Sequence, residues 1–400
     1  MISVRRYLGH YLGLSLLALT IATVAGCTKK SEPSGEGAQS AANVGIVGDE
    51  ILVGQFGAFT GSEATFGQST DKGVRMAFDE KNQAGGIKGK KLKLISIDNQ
   101  GKAEEAAAAI TRLITQNNVI AVIGEVASSR SLAAAPIAQQ HKIPMITPSS
   151  TNPRVTEVGD YIFRVCFIDP FQGTVMAKFA HEHLKVKRVA VLRDMKSDYS
   201  IGLADFFIKK FTELGGTIVA DEKYQSGESS FEGQLTQIKA EKPEAIFIPG
   251  YYTEVGLIAK QARKLGITAT LLGGDGWDSS KLYEIGGDDI NGGYFSNHYT
   301  TESTDPVVVN FIKKFKERYN GETPDALAAA GYDAAKVLIE AMERAPELTP
   351  KAIRDEIAKT KDFVGVTGKI TIDENRNASK PAVVVRVDGP NNRFVTTIAP

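Results

Sequence analysis

Cysteine is nearly absent from these 400 residues, with two in all, and so is any imbalance of charge. Lysine plus arginine number 47 and aspartate plus glutamate 47. A formal net charge of zero gives no basic excess of the kind that a nucleic acid or an anionic membrane surface draws on. The strong catalytic signatures are missing too. No GxSxG elbow, HExxH pair, Walker A loop or GxGxxG after a strand occurs, so neither enzyme chemistry nor a cofactor is expected. Of the five histidines, His181 and His183 stand two apart on a predicted helix, which turns them to different faces and speaks against a metal site. Past the N-terminus no stretch approaches transmembrane length. Cys166, inside the apolar run YIFRVCFI, is expected to be a small core residue.

What is there begins with a leader. Arg5-Arg6, the apolar run Tyr7 to Ala22 and the small residues that follow predict a signal peptide over residues 1–26. Val24-Ala25-Gly26-Cys27 resembles a bacterial lipobox, which would make Cys27 the site of a lipid anchor to the membrane. With Cys27 so used, no intramolecular disulfide is expected. Residues 27–49, rich in Ser, Gly, Ala and charge, read as a flexible tether.

From Ile51 on, strand and helix alternate. Apolar runs at Ile51 to Phe56, Lys90 to Ile97, Val119 to Ile123 and Ile143 to Thr147 are separated by helical patterns at Phe66 to Asn82, Ala103 to Asn117 and Leu132 to Gln140. This rhythm predicts a parallel sheet covered on both faces. It restarts after Tyr161 to Ile168, with strands at Arg188 to Arg193, Thr217 to Ala220, Ala245 to Pro249 and Ala269 to Gly273. The fold class expected is therefore α/β, with two doubly wound parallel-sheet lobes. Helices at Pro306 to Tyr319, Ala326 to Arg344 and Pro350 to Lys359 are too many for the second lobe, so some return to the first. Phe363 to Ile372 and Pro381 to Val387 read as a closing pair of strands.

The stretch Val119 to Pro153 is the most informative. Two successive strand ends deliver the hydroxyl runs Ser128-Ser129 and Ser149-Ser150-Thr151 to one rim of the sheet, where open α/β folds bind ligands. Ser128 or Ser129 is expected to cap the following helix. A helix N-terminus among serines suits a small anion such as a carboxylate; two ordinary capped turns would look the same in sequence. In the second lobe Tyr199, Pro249-Gly250-Tyr251-Tyr252 and Gly273-Gly274-Asp275-Gly276-Trp277 also follow strands and share a rim. Glycines there let backbone approach a ligand, and the aromatics supply walls.

At this point the segments GQFGAFTGSEATFGQ, NQAGGIKGKKL, VIGEVASSRS, MITPSST, PGYYTEVGLIAKQARKLG and LLGGDGWDS resemble the periplasmic leucine, isoleucine and valine-binding proteins, across essentially all of Ile51 to Asn392. The resemblance implies a type I periplasmic binding protein fold, whose lobes are joined by three crossing strands. It divides the chain into residues 50–169 plus about 300–375 for the N-terminal lobe, and 170–299 plus about 376–400 for the C-terminal lobe. It implies a ligand carboxylate at Ser128 and the amides around Ser128 and Thr151. The ammonium would meet Asp275, the Ser149 carbonyl and the Thr151 hydroxyl, with Tyr251 alongside. Phe66 and Tyr199 would wall the side-chain pocket, and Trp277 would fill it or stack on the ligand. The family's leucine-binding members often carry tyrosine in place of Phe66 and glutamate in place of Asp275. A disulfide of some relatives cannot form here.

The function expected is that of an exported, membrane-anchored lipoprotein, a monomer, that captures an apolar α-amino acid between two lobes and delivers it to the permease of an ABC importer. Two other readings stay open: a sensor-type binding protein for amides or aromatic acids, and an exported α/β hydrolase. Against the latter, Ser128 has no histidine near it in any recognisable motif.

Overall fold

The computed structural model describes residues 44–399; the leader, Cys27 and most of the tether lie outside the described residues. Two sheets organise the chain. In the first, five parallel strands lie in the order Lys91–Asp98, Glu50–Gly57, Ala121–Ile123, Met145–Thr147 and Ile162–Arg164, with Ile46–Val47 antiparallel at the edge. The inner strands Ala121–Ile123 and Met145–Thr147 are buried throughout because helices cover both faces, whereas the edge strand Lys91–Asp98 keeps Lys91 and Lys93 exposed. In the second, Thr217–Tyr224, Arg188–Asp194, Ala245–Phe247, Thr270–Gly273 and Tyr294–Asn297 run parallel. Ala382–Asp388 and Asn391–Ile398 then extend that sheet antiparallel.

The C-terminal helices return to the first lobe, as their number requires. Asp305, Asp325 and Thr349 each cap a helix by accepting a backbone N–H, from Val307, Ala328 and Ala352 respectively. Ala326–Arg344 packs along Ala64–Gln83, and the crossing is close because small residues face each other. A Cβ on Gly73 would lie 2.0 Å from the Ala328 carbonyl oxygen, so no larger residue fits there. Ala334, Leu338 and Ile353 thereby join Ile51, Val53 and Ile123 in one core.

The expected closing pair of strands does not form. Phe363–Gly365 and Gly368–Ile372 are the two arms of a hairpin, paired with Ala378–Ser379 in a small separate sheet. The buried Asp333 carboxylate accepts from the Val366 and Thr367 amides, both at 2.8 Å, and fixes the hairpin turn. That partner is more than 30 residues away, out of reach of local sequence. Ala382–Asp388 instead lies against Tyr294–Asn297 in the other lobe. The chain thus passes between the sheets three times: after Ile162–Arg164, after Tyr294–Asn297, and between Ser379 and Ala382.

Candidate ligand-binding cleft

Strand order places the site. In the first sheet neighbours are added on opposite sides of Glu50–Gly57, by Lys91–Asp98 and by Ala121–Ile123. The loops after Glu50–Gly57 and Ala121–Ile123 therefore diverge and leave a crevice. Phe66 and Ser128 stand at these two strand ends. The second sheet repeats the arrangement at Arg188–Asp194 and Ala245–Phe247, whose following segments carry Tyr199 and Tyr251. The two crevices face each other. Phe66, Val126, Ser128, Ser149, Tyr199, Tyr251, Asp275, Gly276 and Leu327 line one small cavity of about 10 Å³. That is about the room of one water molecule, so the surrounding side chains or the lobes themselves must move to admit a ligand.

The hydroxyls are sorted by hydrogen bonding. Ser150 and Ser131 bond each other at 2.7 Å, Ser150 also donates to the Val126 carbonyl, and Thr147 donates to the Glu125 carbonyl. These hydroxyls are consumed in shaping the loops, which leaves Ser128 and Ser149 toward the cavity. Arg164, wholly buried, holds the 149–153 loop: its guanidinium donates to the carbonyls of Ser150, Asn152 and Pro153. Neither Ser128 nor Ser129 caps the helix. Ser128–His141 begins at Ser128, with Ala127 in the cap position and no side-chain cap. The Ser128 hydroxyl accepts from the Asn152 amide at 3.2 Å, and Ser129 accepts from the Asp198 amide of the other lobe at 2.8 Å. An expected local cap is thus replaced by a loop contact and a bridge between lobes.

The second lobe brings a carboxylate to the same cavity. Gln172 donates to Asp275 Oδ1 at 2.7 Å, while His298 Nε2 lies 3.0 Å and Ser149 Oγ 3.4 Å from Oδ2. Gly276 is needed beside it, since a Cβ there would come within 2.8 Å of the Gly250 carbonyl oxygen and the Tyr251 ring. Tyr199 and Tyr251 stack at 5.3 Å and 5° and form one wall; Phe66 meets Tyr251 edge-on at 5.4 Å from the other lobe. Burial pushes both tyrosine hydroxyls above their usual range, which keeps them neutral donors.

Two sequence expectations change. Trp277 does not line the cavity. Its indole is fully buried in the second-lobe core, packs on Phe295, and donates to the Ile248 carbonyl at 2.9 Å. The turn at Asp275–Trp277 sends Asp275 and Trp277 to opposite sides, because Gly273 leaves room for the indole beneath the strand. Thr151 is not among the lining residues either; its hydroxyl is buried without a partner. Val126, Leu327, Gln172, Asp169 and His298 had no sequence signal that singled them out. Asp169 is fully buried with both oxygens unpartnered, and burial, reinforced by Asp275, lifts its carboxyl to about 8.

The lobes touch around the cavity. Thr253 donates to the Ser62 carbonyl at 2.7 Å, Thr65 meets Ser279 at 3.0 Å, and Asn152 donates to the Asp198 carbonyl at 2.8 Å. A larger open groove of about 620 Å³ runs past Lys72, Asp278, Lys281, Glu322 and Asn392. Its buried carboxylates are already bonded, Asp278 by the Ala326 amide and Asp325 by Ala328 and Ser69. Among the described residues no cluster of His, Cys, Asp and Glu suits a metal, and no helix is long and apolar enough to cross a membrane.

Residues 50–392 match the family described as periplasmic binding protein. The chain is 44% identical to a leucine-binding protein, LivK, of Thermotoga maritima, whose crystal structure superposes with a TM-score of 0.83 over 87% of this chain and 99% of that one. It is 35% identical to the branched-chain amino acid transporter substrate-binding protein LivJ of Streptococcus pneumoniae, solved with isoleucine, at a TM-score of 0.81 over 86% and 99% of the two chains. An amino acid binding protein of Pseudomonas aeruginosa is 33% identical over 299 residues, 74% of this chain and 79% of that one. With the match running through both lobes, the chain belongs to the periplasmic binding protein family, in its type I fold.

Proposed function

We propose that the protein is an exported solute-binding protein that closes its two lobes on a small apolar α-amino acid, branched-chain or similar, and presents it to the permease of an ABC importer. One observation carries the reading: a single cavity is lined by two polar features, first the Ser128 hydroxyl at a helix N-terminus and second the Asp275 carboxylate, with apolar walls beside them. A carboxylate suits the first, since the leading amides of a helix lack intrahelical partners. An ammonium suits the second, since burying it without a counter-charge is prohibitive. Val126, Leu327 and Phe66 leave an aliphatic side chain in apolar surroundings. Relatives named for leucine, isoleucine and valine support the same class. In this reading Ser128, Ser149, Tyr251 and Asp275 bind the ligand's polar groups, Thr151 contributes backbone, and Phe66 and Tyr199 wall its side chain. Cys27 carries the lipid that keeps the monomer at the membrane.

Calorimetry with leucine, isoleucine, valine, glutamate and benzoate tests it. The aliphatic amino acids should bind, and at 100 times its Kd a ligand should stabilise the fold by about 2.7 kcal/mol. Asp275→Asn should weaken amino-acid binding by about 2–5 kcal/mol, as for truncating one side of a buried charge pair. Near-equal affinities of wild type and Asp275→Asn would refute the amino-acid assignment.

A further inference from the structure

His298 stands behind Asp275, and the cavity lining does not account for it. It follows Tyr294–Asn297 where the chain crosses between lobes, and its ring lies 4.2 Å from that of Phe167 on a neighbouring crossing. The side chain is fully buried. Nε2 meets Asp275 Oδ2 at 3.0 Å and Ser149 Oγ at 3.4 Å; Nδ1 has no partner.

We propose that neutral His298 is the positioning residue that holds Asp275 ready for an ammonium ligand, and that protonation of His298 expels that ligand. The inference rests on the amino-acid reading above.

The two ring nitrogens decide which form the site favours. With the proton on Nε2, the imidazole donates to Asp275 and leaves only a lone pair unpaired at Nδ1. The imidazolium would bury an unpaired N–H, which is costlier. The groups facing the ring pull in both directions. Asp275 and Asp278 favour the charged form, whereas burial and the Lys380 ammonium oppose it; burial is the largest influence and holds His298 below its ordinary range. Gln172, Ser149 and neutral His298 thus hold Asp275 from the protein side and bring no opposite charge to it. Once protonated, His298 becomes the counter-cation of Asp275 itself. A ligand ammonium would then place a second cation on one buried carboxylate. Protonation and binding therefore oppose each other, and the coupling is reciprocal: ligand lowers the proton affinity of His298, and acid lowers the affinity for ligand.

The experiment is leucine binding by calorimetry from about pH 8 to about pH 5, the range over which histidine changes charge, for wild type and His298→Gln. Glutamine keeps a donor for Asp275 and cannot take a proton. Wild-type affinity should fall by up to about tenfold per pH unit at the acid end, and the fall should be missing in His298→Gln. Asp169 also faces Asp275 and titrates, but it is common to both proteins, so the difference isolates His298. Parallel profiles, or a loss in His298→Gln that is the same at every pH, would overturn the proposal and leave a purely structural histidine. Should the variant not fold, the wild-type imidazole C2–H resonance, assigned through its contact with the Phe167 ring, reads the same coupling. Leucine should move its titration to lower pH, and an unmoved titration overturns the proposal. Failure of leucine to bind at about pH 8 refutes the amino-acid reading instead, and this inference falls with it.

Discussion

Replacing Asp169 by asparagine is expected to make the ligand-free protein more stable, and increasingly so as pH rises. Asp169 opens the helix Asp169–Lys178 and is fully buried, with no hydrogen-bond partner for either oxygen. Burial, helped by Asp275, raises its carboxyl from 3.8 to about 8; the Thr151 hydroxyl, near but out of hydrogen-bonding geometry, and Arg164 oppose the rise. Between those two values the folded protein holds a proton that the unfolded chain has released, so stability falls as pH rises and levels off above about 8. A difference of about four pH units at about 1.36 kcal/mol each sets a ceiling of about 5 kcal/mol, with about 4 kcal/mol developed by pH 7. Asparagine has the shape of the neutral acid and nothing to ionise. Allowing for water penetration and local relaxation, a gain of about 1–3 kcal/mol at neutral pH is expected. Denaturant unfolding of both proteins at several pH values from about 4 to about 9 measures it. The gap should be small at the acid end and widen through neutrality. A variant no more stable than wild type at pH 8, or a gap that ignores pH, would refute the reasoning.

Two further substitutions separate binding from packing. Ser128→Ala should cost about 1.5–3 kcal/mol of affinity for an amino acid, the value of a hydrogen bond to a charged group; unchanged calorimetric affinity would leave Ser128 with only its contact to the Asn152 amide. Trp277→Phe should destabilise the fold by about 2 kcal/mol, through a lost bond to Ile248 and a void beside Phe295. Its affinity for ligand should stay the same, and a large loss of affinity would return Trp277 to the cleft.

Much of this protein was legible along the chain. The alternation of short β-branched runs with helical patterns reported a parallel α/β architecture, because a strand buried on both faces must be apolar throughout. The hydroxyl runs after Ile123 and Thr147, and the glycine and aromatic clusters after Phe247 and Gly273, were visible for the same reason, since ligand loops sit at strand ends. Of the eight residues expected around the ligand, Phe66, Ser128, Ser149, Tyr199, Tyr251 and Asp275 line one cavity. Trp277 does not: a side chain's direction in a one-turn segment depends on where an empty space lies, and Gly273 supplied it on the core side. The cap expected at Ser128 or Ser129 failed likewise, because the Asn152 and Asp198 amides of distant loops take those hydroxyls.

The hairpin at Phe363–Ile372 escaped because the carboxylate that fixes its turn, Asp333, belongs to a helix of the first lobe. His298, Gln172 and Asp169 escaped more completely. None has a neighbour in sequence that marks it, and each acquires its chemistry only where the crossing segments bring it beside Asp275 or into full burial. Sequence by itself determined which segments become strands and helices and which strand ends carry hydroxyls, because local periodicity and composition encode them. Only the tertiary structure decided which of those groups face the same cavity and which carboxylates lose their water, because burial and partnership are properties of packing between segments far apart in the chain.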